Sequence, residues 1–230
     1  RKEEREEEPL LQVFGYLKRT SKLHLVYGRT DWGTRETPSG EIDFLGNTDC
    51  VVFCDASFCD DPVGIKQKRS VLGHAAYMWS ALVIWASTRS KCVMLSTMET
   101  ELFALQDGAK SSIFIRDAYQ VLTGLLHGPV PMLEDNAAAI VNSSASNGNF
   151  RACRHFTMRA EFIKECVADK TVKVIKIKSE DNIADFFTKP LAREKFEKFR
   201  SKFMDFPDDK QPALAITQVS GPTMLIEQVP

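Results

Sequence analysis

The run Cys50-Val-Val-Phe-Cys-Asp-Ala-Ser57 sets five apolar side chains directly before a carboxylate at Asp55. A short apolar run rich in β-branched and aromatic residues reads as a strand buried on both faces. Downstream, Leu72–Ser80 and Leu82–Thr88 are separated by a tight connection, which predicts an antiparallel meander. A long helix is expected from about Thr97 to Leu125. Ser96 and Glu99 make a capping box at its start, and Leu102, Leu105, Ala109, Ile113, Ala118 and Leu122 supply its apolar stripe. Val130–Glu134 reads as a short strand and Asn136–Asn142 as a short helix, followed by a Ser/Asn/Gly-rich loop over 143–149. A helix from Arg154 to Asp169, a strand over Thr171–Ile177 and a last helix from Asp181 to Phe203 complete the series. This order predicts an α/β fold, a mixed sheet covered by helices on both faces.

Outward from that core, Leu10, Val13, Phe14 and Leu17 recur at helical spacing, and Leu23, Leu25 and Tyr27 alternate as in a strand. Residues 28–41 are polar and turn-rich. Three regions are therefore expected: 1–41 as an upstream segment with a linker, 42–205 as the main domain, and 206–230 as a mobile Pro- and Gln-rich tail. There are no internal repeats.

The 230 residues are 43% hydrophobic and 27% charged, ordinary for a chain with a packed core. A formal net charge of -1 excludes any argument for nucleic-acid binding from total charge. The distribution is uneven, since Arg151–Met204 holds 14 Lys plus Arg against 8 Asp plus Glu. Such a surplus suits a phosphate-facing surface and equally an ordinary solvated helix face. The six cysteines form no CxxC pairs, and His155 beside Cys153 lacks a second ligand pair, so a structural zinc is not expected. No apolar run is long enough to span a bilayer, and free thiols in apolar runs suit a reducing intracellular setting.

Four acids occupy unusual places. Asp55 and Asp135 follow apolar strands, while Glu101 and Asp185 lie in the first turns of helices. Strand ends and helix starts are where α/β folds present ligand sites, and helix N-termini favour carboxylates. Clustered carboxylates need cations, and hard divalent ions with oxygen ligands are the natural choice. Taken singly, each acid is equally explained as a turn residue or a dipole partner. Spacing alone does not bring the four together.

Five stretches carry a family resemblance: Phe53-Cys-Asp-Ala-Ser, Leu95-Ser-Thr-Met-Glu-Thr-Glu-Leu-Phe-Ala-Leu, Glu134-Asp-Asn-Ala-Ala-Ala-Ile, Arg154-His-Phe-Thr-Met-Arg and Ser179-Glu-Asp-Asn-Ile-Ala-Asp-Phe-Phe-Thr-Lys-Pro-Leu. Over residues 9–205 the chain resembles the ribonuclease H region that ends the Pol polyprotein of copia-type retrotransposons. Gly15-Tyr-Leu-Lys and Leu23-His-Leu-Val-Tyr resemble the tail of the reverse transcriptase region upstream. The resemblance implies an RNase H-like fold, a five-stranded sheet with three antiparallel strands followed by two parallel ones. It implies an endonuclease that hydrolyses the RNA strand of RNA–DNA hybrids by a two-metal-ion mechanism, with Mg2+ or, as a substitute, Mn2+. The metal-binding carboxylates it implies are Asp55, Glu101, Asp135 and Asp185. By the same resemblance, Asp55 would bridge both ions, Glu101 and Asp135 would hold the ion nearer the leaving group, and Asp185 would hold the ion nearer the attacking water. Glu99 is left as the capping residue.

Partners implied are the hybrid and the reverse transcriptase region of the same polyprotein, with no membrane. The setting implied is the cytoplasm, a virus-like particle or the nucleus. Ser57, Asn136 and the backbone around Glu101 are placed to read 2′-hydroxyls, and Arg89, Lys91, Lys189 and Arg193 to touch DNA-strand phosphates. For these basic residues, plain surface charge is an equal reading.

The chain departs from the family in places. Cys54-Asp-Ala-Ser-Phe stands where Ser-Asp-Ala-Asp-Trp is usual, His155-Phe-Thr replaces His-Ile-Asp, and the turn before the second strand reads Arg69-Ser-Val-Leu-Gly-His. No histidine precedes Asp185 closely, as it does in some cellular relatives, and His155 reads as structural. No basic helical insertion lies between Leu125 and Val130, so weak hybrid binding by the chain alone is expected. Two other readings stay open. One is a catalytically inactive RNase H-like domain that binds nucleic acid or protein. The other is an integrase-type core, which would need a final catalytic Glu where this chain has Asp185.

Overall fold

A computed structural model describes residues 3–26, 49–59, 69–144 and 154–205. The linker over 28–41, the loop over 145–149 and the tail from 207 lie outside the described residues. The chain divides into two units, Leu25–Asp205 and a smaller one of Arg1–His24 with Phe206–Pro230. In the smaller unit the described element is helix α1 (Glu3–Arg19), longer than its apolar spacing predicts. Leu10, Leu11, Val13, Phe14 and Leu17 of α1 are exposed.

The larger unit is built on β2 (Cys50–Ser57), whose eight residues are all buried. A strand buried on both faces needs apolar residues throughout, and Cys50-Val-Val-Phe-Cys meets that demand. The strand continues two residues past Asp55. It pairs antiparallel with β3 (Val71–Met78), and β3 pairs antiparallel with β4 (Ala81–Arg89). Trp79 and Ser80 make the hairpin turn, both at positive φ (49° and 63°), as a two-residue connection matching strand twist requires. On its other edge β2 pairs in parallel with β5 (Val130–Glu134), which pairs in parallel with β6 (Val172–Lys176). The sheet order is β4-β3-β2-β5-β6, three antiparallel strands followed by two parallel ones.

Alternation along β2 divides the core. Val52 and Cys54 face α2 (Thr97–Thr123), α3 (Ala137–Ser144) and α4 (Arg154–Ala168), through Leu102, Leu105, Ala109, Ala139 and Ile163. Val51 and Phe53 face the opposite layer, built from α5 (Asp185–Thr188) and α6 (Arg193–Arg200), through Ala184, Phe199 and Phe203. On that face Leu25 of β1 (His24–Leu25) joins the cluster, and Val26 N–H donates to Phe203 O at 3.0 Å, just before β7 (Met204–Asp205).

The long helix starts where the capping box predicts. Ser96 Oγ accepts from Glu99 N–H at 3.1 Å, and Glu99 Oε2 reaches back to Leu95 N–H at 2.7 Å. It stops at Thr123 because Gly124 takes a left-handed conformation (φ 72°) and its N–H closes on Gln120 O. The short helix begins at Ala137, with Asn136 as its cap, and runs through Ser143 and Ser144, which the sequence assigns to a loop.

The largest correction concerns the last helix. Asp181–Phe203 is not continuous: α5 and α6 are separated by Lys189-Pro-Leu-Ala. Proline disfavours helical backbone in the residue before it, and Lys189 is extended at φ -129° and ψ 144°. Phe186 stacks on Phe196 at 4.8 Å and meets Phe203 edge-on at 5.1 Å, so aromatic contacts tie the two short helices together.

Candidate active site

The parallel register pairs Val52 with Met132 and Phe53 with Leu133. Continued along both chains, it sets Asp55 level with Asp135. Glu101 arrives from α2, one turn inside the Ser96 cap. Carboxylate oxygens of Asp55, Glu101 and Asp135 all lie within 4.8 Å of one another.

Two glycines allow this convergence. A Cβ at Gly108 would sit 2.3 Å from Cys54 Sγ, so α2 lies directly on β2 beside Asp55. A Cβ at Gly73, the partner of Asp55 on β3, would sit 2.5 Å from Thr188 Cγ2. Its absence lets α5 lie flush on the opposite face.

Asp185 enters from that opposite face, as the first residue of α5. Asn182 fixes the approach. It is fully buried, its Nδ2 donates to Cys54 O at 2.8 Å, and its Oδ1 accepts from Ala184 N–H at 3.1 Å. Asp185 is not part of the Asp55, Glu101 and Asp135 group, and an ammonium group links it to Asp55. Lys189 Nζ is 3.0 Å from Asp55 Oδ1 and 2.6 Å from Asp185 Oδ1. Lys195 Nζ donates to Asp185 Oδ2, and Thr188 Oγ1 donates to Asp55 Oδ2.

The electrostatics follow from burial. Asp55 is 0% exposed, and desolvation lifts its pKa to about 6, with Lys189 and Thr188 working against the rise. Desolvation, and after it the charges of Asp55 and Asp135, push Glu101 up to about 9. Burial works against the charge on Lys189, but Asp55 and Asp185 outweigh it and hold the ammonium above its ordinary range. Glu101 Oε2 is buried without a hydrogen-bond partner. An oxygen-only donor set with an orphaned, desolvated carboxylate oxygen fits a hard divalent cation.

One acid escaped the sequence reading. Glu134 is 0% exposed, its Oε1 accepts from Asn136 N–H at 2.9 Å, and its Oε2 has no partner. Burial, and then the nearby Glu101, raise its pKa well above the ordinary value. The signal was available, because Val130, Met132 and Glu134 alternate onto the core face.

The residues expected to touch substrate lie in several places. Ser57 is buried at the end of β2, and Asn136 Oδ1 is occupied by the N–H groups of Ala138 and Ala139. Arg89 lies on the exposed end of β4, and Lys91 is exposed just beyond it. Arg193 is exposed on α6 and pairs with Glu197 at 3.0 Å. Lys189 is directed onto carboxylates. Among the described residues, Asp55, Glu101 and Asp135 form the one group suited to a metal ion, and His74 is engaged by Ser111 at 2.9 Å.

The strand order and the mixed pairing, with helices on both faces, define an RNase H-like domain. No family model matches the chain. Among curated proteins it is similar to the retrovirus-related Pol polyprotein from transposon TNT 1-94 of Nicotiana tabacum, 32% identical over 161 residues, covering 69% of this chain and 12% of that protein. The corresponding polyprotein from transposon RE1 of Arabidopsis thaliana is 27% identical over 134 residues, 58% of this chain and 9% of that one. The chain thus spans about a tenth of the length of these curated relatives. Its homologues are retrovirus-related Pol polyproteins of plant transposons, and it corresponds to one segment of them. A solved ribonuclease H1 isolated from compost, LC11-RNase H1, is 11% identical over 65% of this chain and 96% of that one, with a TM-score of 0.46. The RNase H domain of PFV is 16% identical, covers 61% of this chain and 92% of that one, and has a TM-score of 0.45.

Proposed function

We propose that this chain is the ribonuclease H domain of a copia-type retrotransposon Pol polyprotein, an endonuclease acting on the RNA strand of RNA–DNA hybrids during reverse transcription. The observation that carries the reading is the convergence of Asp55, Glu101 and Asp135, with Asp185 tied to Asp55 through Lys189. Homology to plant transposon Pol polyproteins supports it, and makes the reverse transcriptase region of the same polyprotein the natural partner.

Divalent cations, magnesium first and manganese as a substitute, supply the positive charge that phosphodiester hydrolysis needs. Asp55 is central because it borders both Glu101 and Asp185. Glu101 and Asp135 hold charge on one side of it and Asp185 on the other. Burial of the three side chains on β2, α2 and α5 fixes their orientation and excludes water. The exposed Arg89 and Lys91 are assigned to phosphates of the DNA strand, and Ser57 and Asn136 to the groove beside the site.

The test is a labelled RNA–DNA hybrid with magnesium and the whole chain, alone and with the reverse transcriptase segment supplied. Cleavage leaving 5′-phosphate and 3′-hydroxyl ends, lost in Asp135→Asn, is the expected result. A folded chain that cuts in neither condition sinks the nuclease reading and leaves a binding module.

Glu101 gives a second expectation. Its pKa rises on folding, so the stability it contributes is fully present below the unfolded value near 4.5 and is lost as pH climbs towards about 9. Without divalent ions, the melting temperature therefore falls across that window. Glu101→Gln flattens the fall, and manganese reverses it in the parent chain. Melts at a series of pH values read this directly, and an unchanged slope in Glu101→Gln would count against it.

A further inference from the structure

Among the described residues, Lys189 is the one cationic group that touches two of the four proposed ligands, 3.0 Å from Asp55 Oδ1 and 2.6 Å from Asp185 Oδ1. An ammonium group bridging two carboxylates does what a cation bound between them would do. We propose that Lys189 is a built-in counter-ion at the position between Asp55 and Asp185. The substrate-free protein then takes up a single divalent cation, at Asp55, Glu101 and Asp135, and admits a second only when Lys189 leaves. This inference rests on the reading of those carboxylates as metal ligands.

Three observations carry it. The first is the division of the oxygens. Asp185 has Lys189 on Oδ1 and Lys195 on Oδ2, and Asp55 has Lys189 on Oδ1 and Thr188 on Oδ2. Glu101 Oε2, by contrast, is buried with no hydrogen-bond partner, and Lys189 acts on Glu101 only through its field. Asp55 and Asp185 are therefore in direct contact with ammonium groups, and Glu101 is not.

The second is the charge balance. With Asp55, Glu101, Asp135 and Asp185 ionised, as metal binding requires, four negative charges face the two ammonium groups of Lys189 and Lys195. The remaining charge of -2 is that of one divalent cation. A second ion with both lysines in place would leave an excess of +2 in a desolvated site, which low local dielectric makes costly.

The third is the way Lys189 is held. Its backbone is fixed in an extended conformation ahead of Pro190, and it stands four residues after Asp185, so the chain delivers the ammonium to this position. The side chain is nevertheless 35% exposed, on a flexible four-carbon stem. It can swing outward, and a substrate phosphate is the anion that would take it. Hybrid binding and uptake of the second ion thereby become one event, which guards against cleavage without a seated substrate.

The experiment counts Mn2+ bound by the whole chain without nucleic acid, using electron paramagnetic resonance of free Mn2+ alongside calorimetry. Parent, Lys189→Met and Lys189→Arg are compared, with circular dichroism melts to establish that each is folded. One ion is expected for the parent and for Lys189→Arg, which keeps the charge. Two are expected for Lys189→Met, with the second-site affinity raised at least about tenfold, or about 1.4 kcal/mol. Two equivalent ions in the parent, or one in folded Lys189→Met, overturn the counter-ion and leave the metal site standing. No Mn2+ on the parent overturns both. The parent count decides by itself if Lys189→Met does not fold.

Discussion

Asp55→Asn is expected to lower hybrid cleavage by more than about a thousandfold, a loss of roughly 4 kcal/mol of transition-state stabilisation, while the chain stays folded. Asparagine matches aspartate in shape, so Thr188 keeps an acceptor and β2 keeps its packing. What goes is the charge of a fully buried carboxylate that borders Glu101 on one side and Asp185 on the other. No neighbouring acid can take its place, because the parallel register sets Asp135 on the next strand and Glu101 belongs to a helix. Without divalent ions, the melting temperature of Asp55→Asn should equal or exceed that of the parent, since a neutral amide is cheaper to bury than a carboxylate. The rise in melting temperature that manganese gives the parent should disappear. Cleavage within tenfold of the parent, measured at equal protein, would remove Asp55 from the centre of the mechanism.

Gly108→Ala is expected to cost about 1–3 kcal/mol, although the same change at an ordinary helical site stabilises by about 1 kcal/mol. The added Cβ would lie 2.3 Å from Cys54 Sγ, with Met132 Cε and Val52 Cγ1 next at 3.4 and 3.5 Å, so it has no open direction. Either α2 lifts from β2 or Cys54 is displaced. Lifting carries Glu101 away from Asp55, so manganese affinity should fall along with stability. Cys54→Ala in the same chain should recover much of the loss, because it removes the obstructing sulfur. A double-mutant cycle by urea unfolding measures this, and additive effects would mean that the close approach is not the cause.

The fold was legible because its signals are local. Five apolar residues before Asp55 mark a central strand, and Ser96 with Glu99 marks the start of α2. The expected helix over Asp181–Phe203 divides because Pro190 interrupts the backbone, while Phe186, Phe196 and Phe203 still pack together across the break. Pro190 is the sequence signal for the break.

The carboxylates were legible as placements only. That Asp55, Glu101 and Asp135 meet depends on strand register and on two missing Cβ atoms, which periodicity does not encode. The sequence expectation of phosphate contact at Lys189 does not specify the carboxylate pairing that the structure shows for this side chain. Lys189 ends the short helix that Asp185 begins, and its side chain turns back onto Asp185 and Asp55. Glu134 was passed over because an acid beside Asp135 looks like part of the same turn, whereas it continues the inward-facing row of β5.

The Asn182 hydrogen bond to Cys54 O joins positions 128 residues apart in the chain. It gives the domain an order of events during synthesis. A nascent chain that has released residues up to Lys176 carries every strand of the main sheet and three of the four carboxylates. The fourth arrives on the segment that Asn182 clips against β2. Under the proposed function, a chain that stops short of that segment lacks its fourth acid, so catalytic competence would be the last property the domain acquires.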